Sequence, residues 1–232
     1  MNIYRVSAAA LTLQQSTTVQ KVTSLLSAQH LNSSTSSTSP QPDQVSDGDK
    51  QNIDNIKKNC ENWDYNPPLS EILQAARLAF AGYITSIQGL KLRNIKLDQI
   101  PPQQLATLVS CVTDTVLIWN VDGDPANIIK SARCEELQFK DITLDVSQTK
   151  LVVEALKDRI KVLGIGSSVS LDFDTLQQYD GSGKCGQISA YYTPSVIHQY
   201  KSKLKSYGKV LGWKTDERKS HLGNYWFDIE RR

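Results

Sequence analysis

The residues best suited by type to chemistry lie in Asp180-Gly181-Ser182-Gly183-Lys184-Cys185, where a glycine-rich loop ends in Gly-Lys. Such a loop can cradle phosphate on its backbone N–H groups, but it also needs a glycine five residues before the Gly-Lys pair and a Ser or Thr after the lysine to hold magnesium. Those positions hold Gln178 and Cys185. A surface turn is the expectation, and a degenerate nucleotide-binding or transferase fold using Gly181 to Cys185 is the alternative. Asp122-Gly-Asp124 and Asp172-Phe-Asp174 pair carboxylates, yet neither continues into a calcium loop closed by Glu, so both are read as helix caps. His30, His198 and His221 lie far apart with no metal spacing. Nucleophilic catalysis needs a Ser or Cys activated by a base, and nothing local resembles such an arrangement, although distant residues can converge in space; Glu135, Glu136 and Glu230 have no identifiable acid or base partner. No catalytic, metal or cofactor residue is assigned: the expectation is a protein that is not an enzyme and carries no cofactor.

Composition narrows the class. The chain has 232 residues, a formal net charge of +2, 39% hydrophobic and 22% charged residues. That balance is too mild to argue for nucleic acid or membrane. Lysines 201, 203, 205 and 209 cluster with His198, Arg231 and Arg232 near Tyr191, Tyr192, Tyr200 and Tyr207, but a solvated helix face is the expected reading and nucleic acid is not an expected partner. Cys60, Cys111, Cys134 and Cys185 are dispersed, which points to free thiols in a reducing compartment and to a cytoplasmic protein. There is no run of about 18 apolar residues, so no membrane span is expected. The stretch from Val6 to Leu13 is too short for a secretory signal, and the acid-free, Ser/Thr-rich start only faintly resembles a transit peptide.

The elements that would position any site follow a repeat. Leu90-Lys-Leu92, Val116-Leu-Ile118, Leu137-Gln-Phe139, Leu163-Gly-Ile165 and Ile188-Ser-Ala190 recur at steps of 26, 21, 26 and 25 residues. Each is followed by apolar residues at helical spacing, such as Leu105, Leu108, Val109 and Val112, or Leu151, Val152, Ala155 and Leu156. Pro101-Pro102 and Asp124-Pro125 mark helix starts, and Ser70 and Ser147 are the expected caps of their helices. The organisation read from this is a disordered, low-complexity arm over 1–50, a helical cap over 51–83, and a repeat domain over 84–232 that ends in a capping helix and strand. The helix after Ser70 either closes the stack or is the last helix of a preceding domain. The fold class expected is α/β, a short solenoid with parallel strands on one side and helices on the other.

Ile87-Gln-Gly-Leu90-Lys-Leu92-Arg-Asn-Ile95-Lys-Leu97 and Cys134-Glu-Glu-Leu137-Gln-Phe139-Lys-Asp-Ile142-Thr-Leu144 resemble leucine-rich repeats, matching every apolar position of that pattern. The likeness is to the longer ribonuclease-inhibitor-like type, and to the C-terminal repeats of nucleotide-binding leucine-rich-repeat receptors. It covers residues 84 to 207. The family's Asn or Cys position holds Ile95, Val121, Ile142 and Ser168 instead, while polar Asn94, Asn120, Asp141 and Ser167 stand one place earlier. Either these close the turns in the same way, or the units are irregular strand-helix pairs. With no NTPase module present, the resemblance implies a sensing or adaptor segment of innate immunity that binds a protein ligand on its concave strand face.

Alternation along the strands names that face. The expected protein-binding residues are Lys91, Arg93, Leu117, Trp119, Gln138, Lys140 and Tyr191, in the rows Lys91, Leu117, Gln138, Gly164, Ser189 and Arg93, Trp119, Lys140, Gly166, Tyr191. Trp119 is either the anchor of that surface or ordinary core beneath the terminal helix or tail.

Overall fold

Short alternating runs become strands, and each is carried to the next by a helix or turn with one apolar face. The structure is a computed structural model describing residues 47–192, 197–219 and 225–232. Three helices come first: α1 (Asp47–Gln51), α2 (Ile53–Glu61) and α3 (Leu69–Phe80). Then follow β1 (Ile87–Arg93), α4 (Pro102–Ser110), β2 (Val112–Trp119), α5 (Ala126–Ser131), β3 (Glu136–Lys140), α6 (Val146–Asp158), β4 (Val162–Ile165), α7 (Phe173–Leu176) and β5 (Gln187–Tyr192). The chain closes with α8 (Ile197–Leu211), β6 (Lys214–Lys219) and β7 (Tyr225–Glu230).

The class is α/β with a mostly parallel sheet, seven-stranded among the described residues, in the order β1-β2-β3-β4-β5-β7-β6. The first five strands are parallel and lie in chain order; β7 pairs antiparallel to β5, and β6 to β7. Register places Leu90, Val116, Leu137, Leu163 and Ile188 in one row, which is the alignment the repeat predicts. All five are fully buried. Helices α3 to α7 pack in sequence, each on the next. They cover the face into which those side chains point, with Ile72, Leu108, Ile129 and Leu156 among their buried residues.

A left-handed residue turns the chain off each of four strands: Asn94 (φ 54°), Asn120 (φ 47°), Asp141 (φ 49°) and Ser168 (φ 54°). Asn and Asp tolerate this region because their short polar side chains bond locally. The turns are stitched by N–H donation from Asn94 to the Trp119 carbonyl, from Asn120 to that of Lys140 and from Asp141 to that of Ser167, each 3.0 Å. Three of the four are the predicted polar positions. In the last unit the strand is a residue late in turning, so Ser168 takes the place expected of Ser167.

Several boundaries differ from expectation for local reasons. Residues 1–46, with the predicted arm, lie outside the described part, but α1 begins at Asp47 inside the stretch read as disordered. Ser70 is not the cap of α3: Pro68 holds that position, and Ser70 is already helical. Nor does Ser147 cap α6. Asp145 does, accepting from the Gln148 N–H at 2.8 Å while Gln148 Oε1 accepts from the Asp145 N–H at 3.0 Å, a reciprocal capping box. The end of the chain contributes two strands, not one, because Lys-Thr-Asp-Glu-Arg-Lys forms β6 without any apolar alternation.

Candidate functional site

The face of the sheet away from the helices carries the predicted rows. Register sets Lys91, Leu117, Gln138, Gly164 and Ser189 side by side, and Arg93, Trp119 and Lys140 beside one another at the C-terminal ends of β1 to β3. Tyr191 pairs across to Trp226 on β7.

Trp119 is the most elaborately held of these residues. Because β1 and β3 flank β2, each face of the indole receives a cation: the Arg93 guanidinium lies 3.6 Å and the Lys140 ammonium 3.7 Å from the ring. Each contact contributes about 0.5–1 kcal/mol where solvent can reach it. The indole N–H donates to Asp141 Oδ2 at 2.6 Å, so the left-handed turn after β3 also fixes the ring edge. Trp119 is therefore half-buried on the open face, not core beneath the terminal helix.

Lys91 departs from the expectation of an exposed binding residue. It is 4% exposed, and its ammonium donates to the Trp63 carbonyl at 2.7 Å. Burial, and then the neighbouring Arg93, push its pKa down. The covering segment follows α2, and Trp63 lies over Gly89, where a Cβ would come within 3.1 Å of the indole. This loop closes the first strand in a way no pattern within β1 could announce. Leu117, 8% exposed, is also largely withdrawn from solvent.

The remaining face forms a groove of about 330 Å³ lined by Trp119, Gln138, Lys140, Tyr191 and Trp226 around the glycines of β4 and the turn after it. Gly164 and Gly166 make its floor low. A Cβ at Gly164 would come within 2.7 Å of Gln138 Cγ, and one at Gly166 within 2.8 Å of the Phe139 carbonyl oxygen. Lys140 on β3 and Tyr191 on β5 stand two strand spacings apart, about 10 Å, which leaves width for a side chain between them. Tyr191 and Trp226 form the far wall, their ring centroids 4.7 Å apart, with Trp226 43% exposed. Trp226 lies outside the predicted face, and Glu136, which the sequence offers only as a carboxylate without an acid or base partner, also lines the groove. The alternation of Tyr225, Phe227 and Ile229 is a signal that could have found Trp226, since it sends Trp226 to the opposite face.

The other motifs have structural duties. The loop from Asp180 to Cys185 encloses a cation: Arg231 donates from Nη2 to the carbonyls of Gly181, Gly183 (2.7 Å) and Cys185 (2.7 Å). Its amides at Lys184 and Cys185 donate to the carbonyls of Lys157 and Leu156, both 2.9 Å, and so satisfy the C-terminus of α6. Carbonyls directed inward are the opposite of what phosphate requires. Asp172 caps α7 as expected, accepting from the Thr175 N–H at 2.7 Å, whereas Asp124 does not cap α5: Pro125 holds that position, and Asp124 stands one residue earlier, accepting from the Ala126 N–H at 2.9 Å. Cys134 and Cys185, at equivalent places in two units, each give their thiol to the carbonyl two residues on. Burial raises both thiols to about 11, and Cys60 to about 12. Tyr200 and Tyr207 are buried and bond to the carbonyls of Val169 and Leu176, so their rings are not offered to bases.

No protein-family model matches the chain, and no curated protein matches it in sequence. Among the described residues, no helix is long and apolar enough to cross a membrane.

Proposed function

We propose that this chain is a non-enzymatic protein-binding module, a short leucine-rich-repeat-like solenoid that presents its open strand face to a protein ligand. The observation that carries the reading is the groove between Trp119 and the Tyr191–Trp226 pair, with its glycine floor. Large aromatic anchors around a recess are the residues that dominate interface energetics. Chain-ordered parallel strands with a helix or turn between them support the repeat reading, as do the four left-handed turns. A cytoplasmic adaptor or sensor in innate immunity is the role the resemblance suggests, and buried thiols with raised pKa suit a reducing compartment.

A photo-crosslinker placed at Gln138 of the full chain in native cells tests the module. Proteins captured there should disappear on Trp226→Ala and Trp119→Ala while circular dichroism and melting stay as in the wild type. An unchanged set of captured proteins would sink the reading. So would saturable ATP or GTP binding abolished by Lys184→Ala.

A further inference from the structure

Along β3, Glu136, Gln138 and Lys140 all line the groove, because alternate residues share a face and Leu137 and Phe139 between them are buried. Four residues of strand separate the two positions by about 13 Å along the backbone. Among the described residues neither has an ion-pair partner; Lys140 only rests on the Trp119 ring. Asp141 accepts from the Trp119 indole N–H, and buried Asp228 pairs with Arg218, which with Lys219 lines the adjoining recess beside Glu136. The groove thus has a carboxylate at one end and an ammonium at the other, neither of them in a salt bridge among the described residues. Between them lie the amide of Gln138 and the low floor of Gly164 and Gly166, against the Tyr191–Trp226 wall.

Resting on the groove as a protein-binding site, we infer that its occupant is an extended polypeptide segment lying along β3 and β4, with a basic side chain at Glu136 and an acidic one at Lys140. An apolar side chain between them sits over Gly164 and Gly166. The argument is charge complementarity combined with rise: an extended ligand advances at the same 3.2–3.4 Å or so per residue as the strand beneath it, so its opposite charges fall about four residues apart. A sugar or nucleotide could use the aromatic walls, but nothing in either would match opposite charges at that separation.

A random peptide library displayed on phage and panned on the full chain tests this. The wild type should enrich peptides with opposite charges about four residues apart in one fixed order. The double variant Glu136→Lys with Lys140→Glu should enrich the same spacing in the reverse order. If that variant does not fold, Lys140→Glu alone should abolish the preference for an acid. Selected peptides that require Trp226 but show no charge pairing, or the same order from both proteins, overturn this inference and leave the groove reading standing. Peptides indifferent to both Trp226→Ala and the charge swap overturn the two together, as would a glycan array that binds where no peptide does.

Discussion

Gly183 sits where no side chain fits. A Cβ there would lie 2.3 Å from Lys157 Cα and 2.6 Å from its carbonyl oxygen, whereas one on Gly186 would meet nothing within 4 Å. The contact at Gly183 lets Lys184 and Cys185 reach the last carbonyls of α6, and it leaves the loop carbonyls facing Arg231. Glycine and lysine in this loop serve helix termination, although their spacing first suggests phosphate. Gly183→Ala should therefore lower the unfolding free energy by about 1–3 kcal/mol through overpacking. Gly186→Ala should change it by no more than about 0.5 kcal/mol. Urea denaturation of the two variants checks the difference, and equal midpoints would mean that the loop can lift off the helix without loss.

At the scale of elements, the left-handed turns repeat with more regularity than the helices between the strands. Ser168 is the least suited of the four residues to its conformation, since it lacks the side-chain amide or carboxylate of Asn94, Asn120 and Asp141. Ser168→Gly should raise the unfolding free energy by up to about 1 kcal/mol, and Ser168→Val should lower it by about 1–2 kcal/mol. Thermal melts that move the same way for both variants would show that the turn is not what decides. These turns and the parallel strands were legible in the sequence because a side-chain period of two, with one face buried, fixes register. Strand β6 was not legible, since Lys214–Lys219 buries neither face and so shows no alternation. Lys91 was misplaced because what covers it, the backbone at Trp63, is 28 residues away. The groove was half legible: its rows came from the repeat, but its Trp226 wall depends on an antiparallel pairing between β5 and β7. Arg231 in its loop joins residues 46 to 50 positions apart, beyond any local pattern.

For the molecule as a whole, both edges of the sheet are managed. Glu61 takes the Gln88 N–H of β1 at 2.9 Å, and the far edge strand, β6, is mostly charged. Between these edges carboxylates cap helices and close turns, and for three of them the direction of the pKa shift sets an expected dependence of stability on pH. Asp145 is held below the ordinary carboxylate value of 3.8 by the Ser147 side chain and then the Gln148 N–H. Asp172 is lowered first by the side chain of Thr175 and then by its N–H, and Asp180 likewise by Ser182. Since each folded value lies below the unfolded one, the unfolded chain binds more protons in that window, and stability rises with pH across it. The contribution is complete above about pH 5 and is lost as pH falls from about 4 through the depressed folded values. The combined variant Asp145→Asn, Asp172→Asn and Asp180→Asn keeps an acceptor oxygen at each turn but removes the titration. Its urea midpoint should fall less between about pH 5 and pH 2 than that of the wild type. Parallel curves for the two proteins would place the acid sensitivity in other carboxylates.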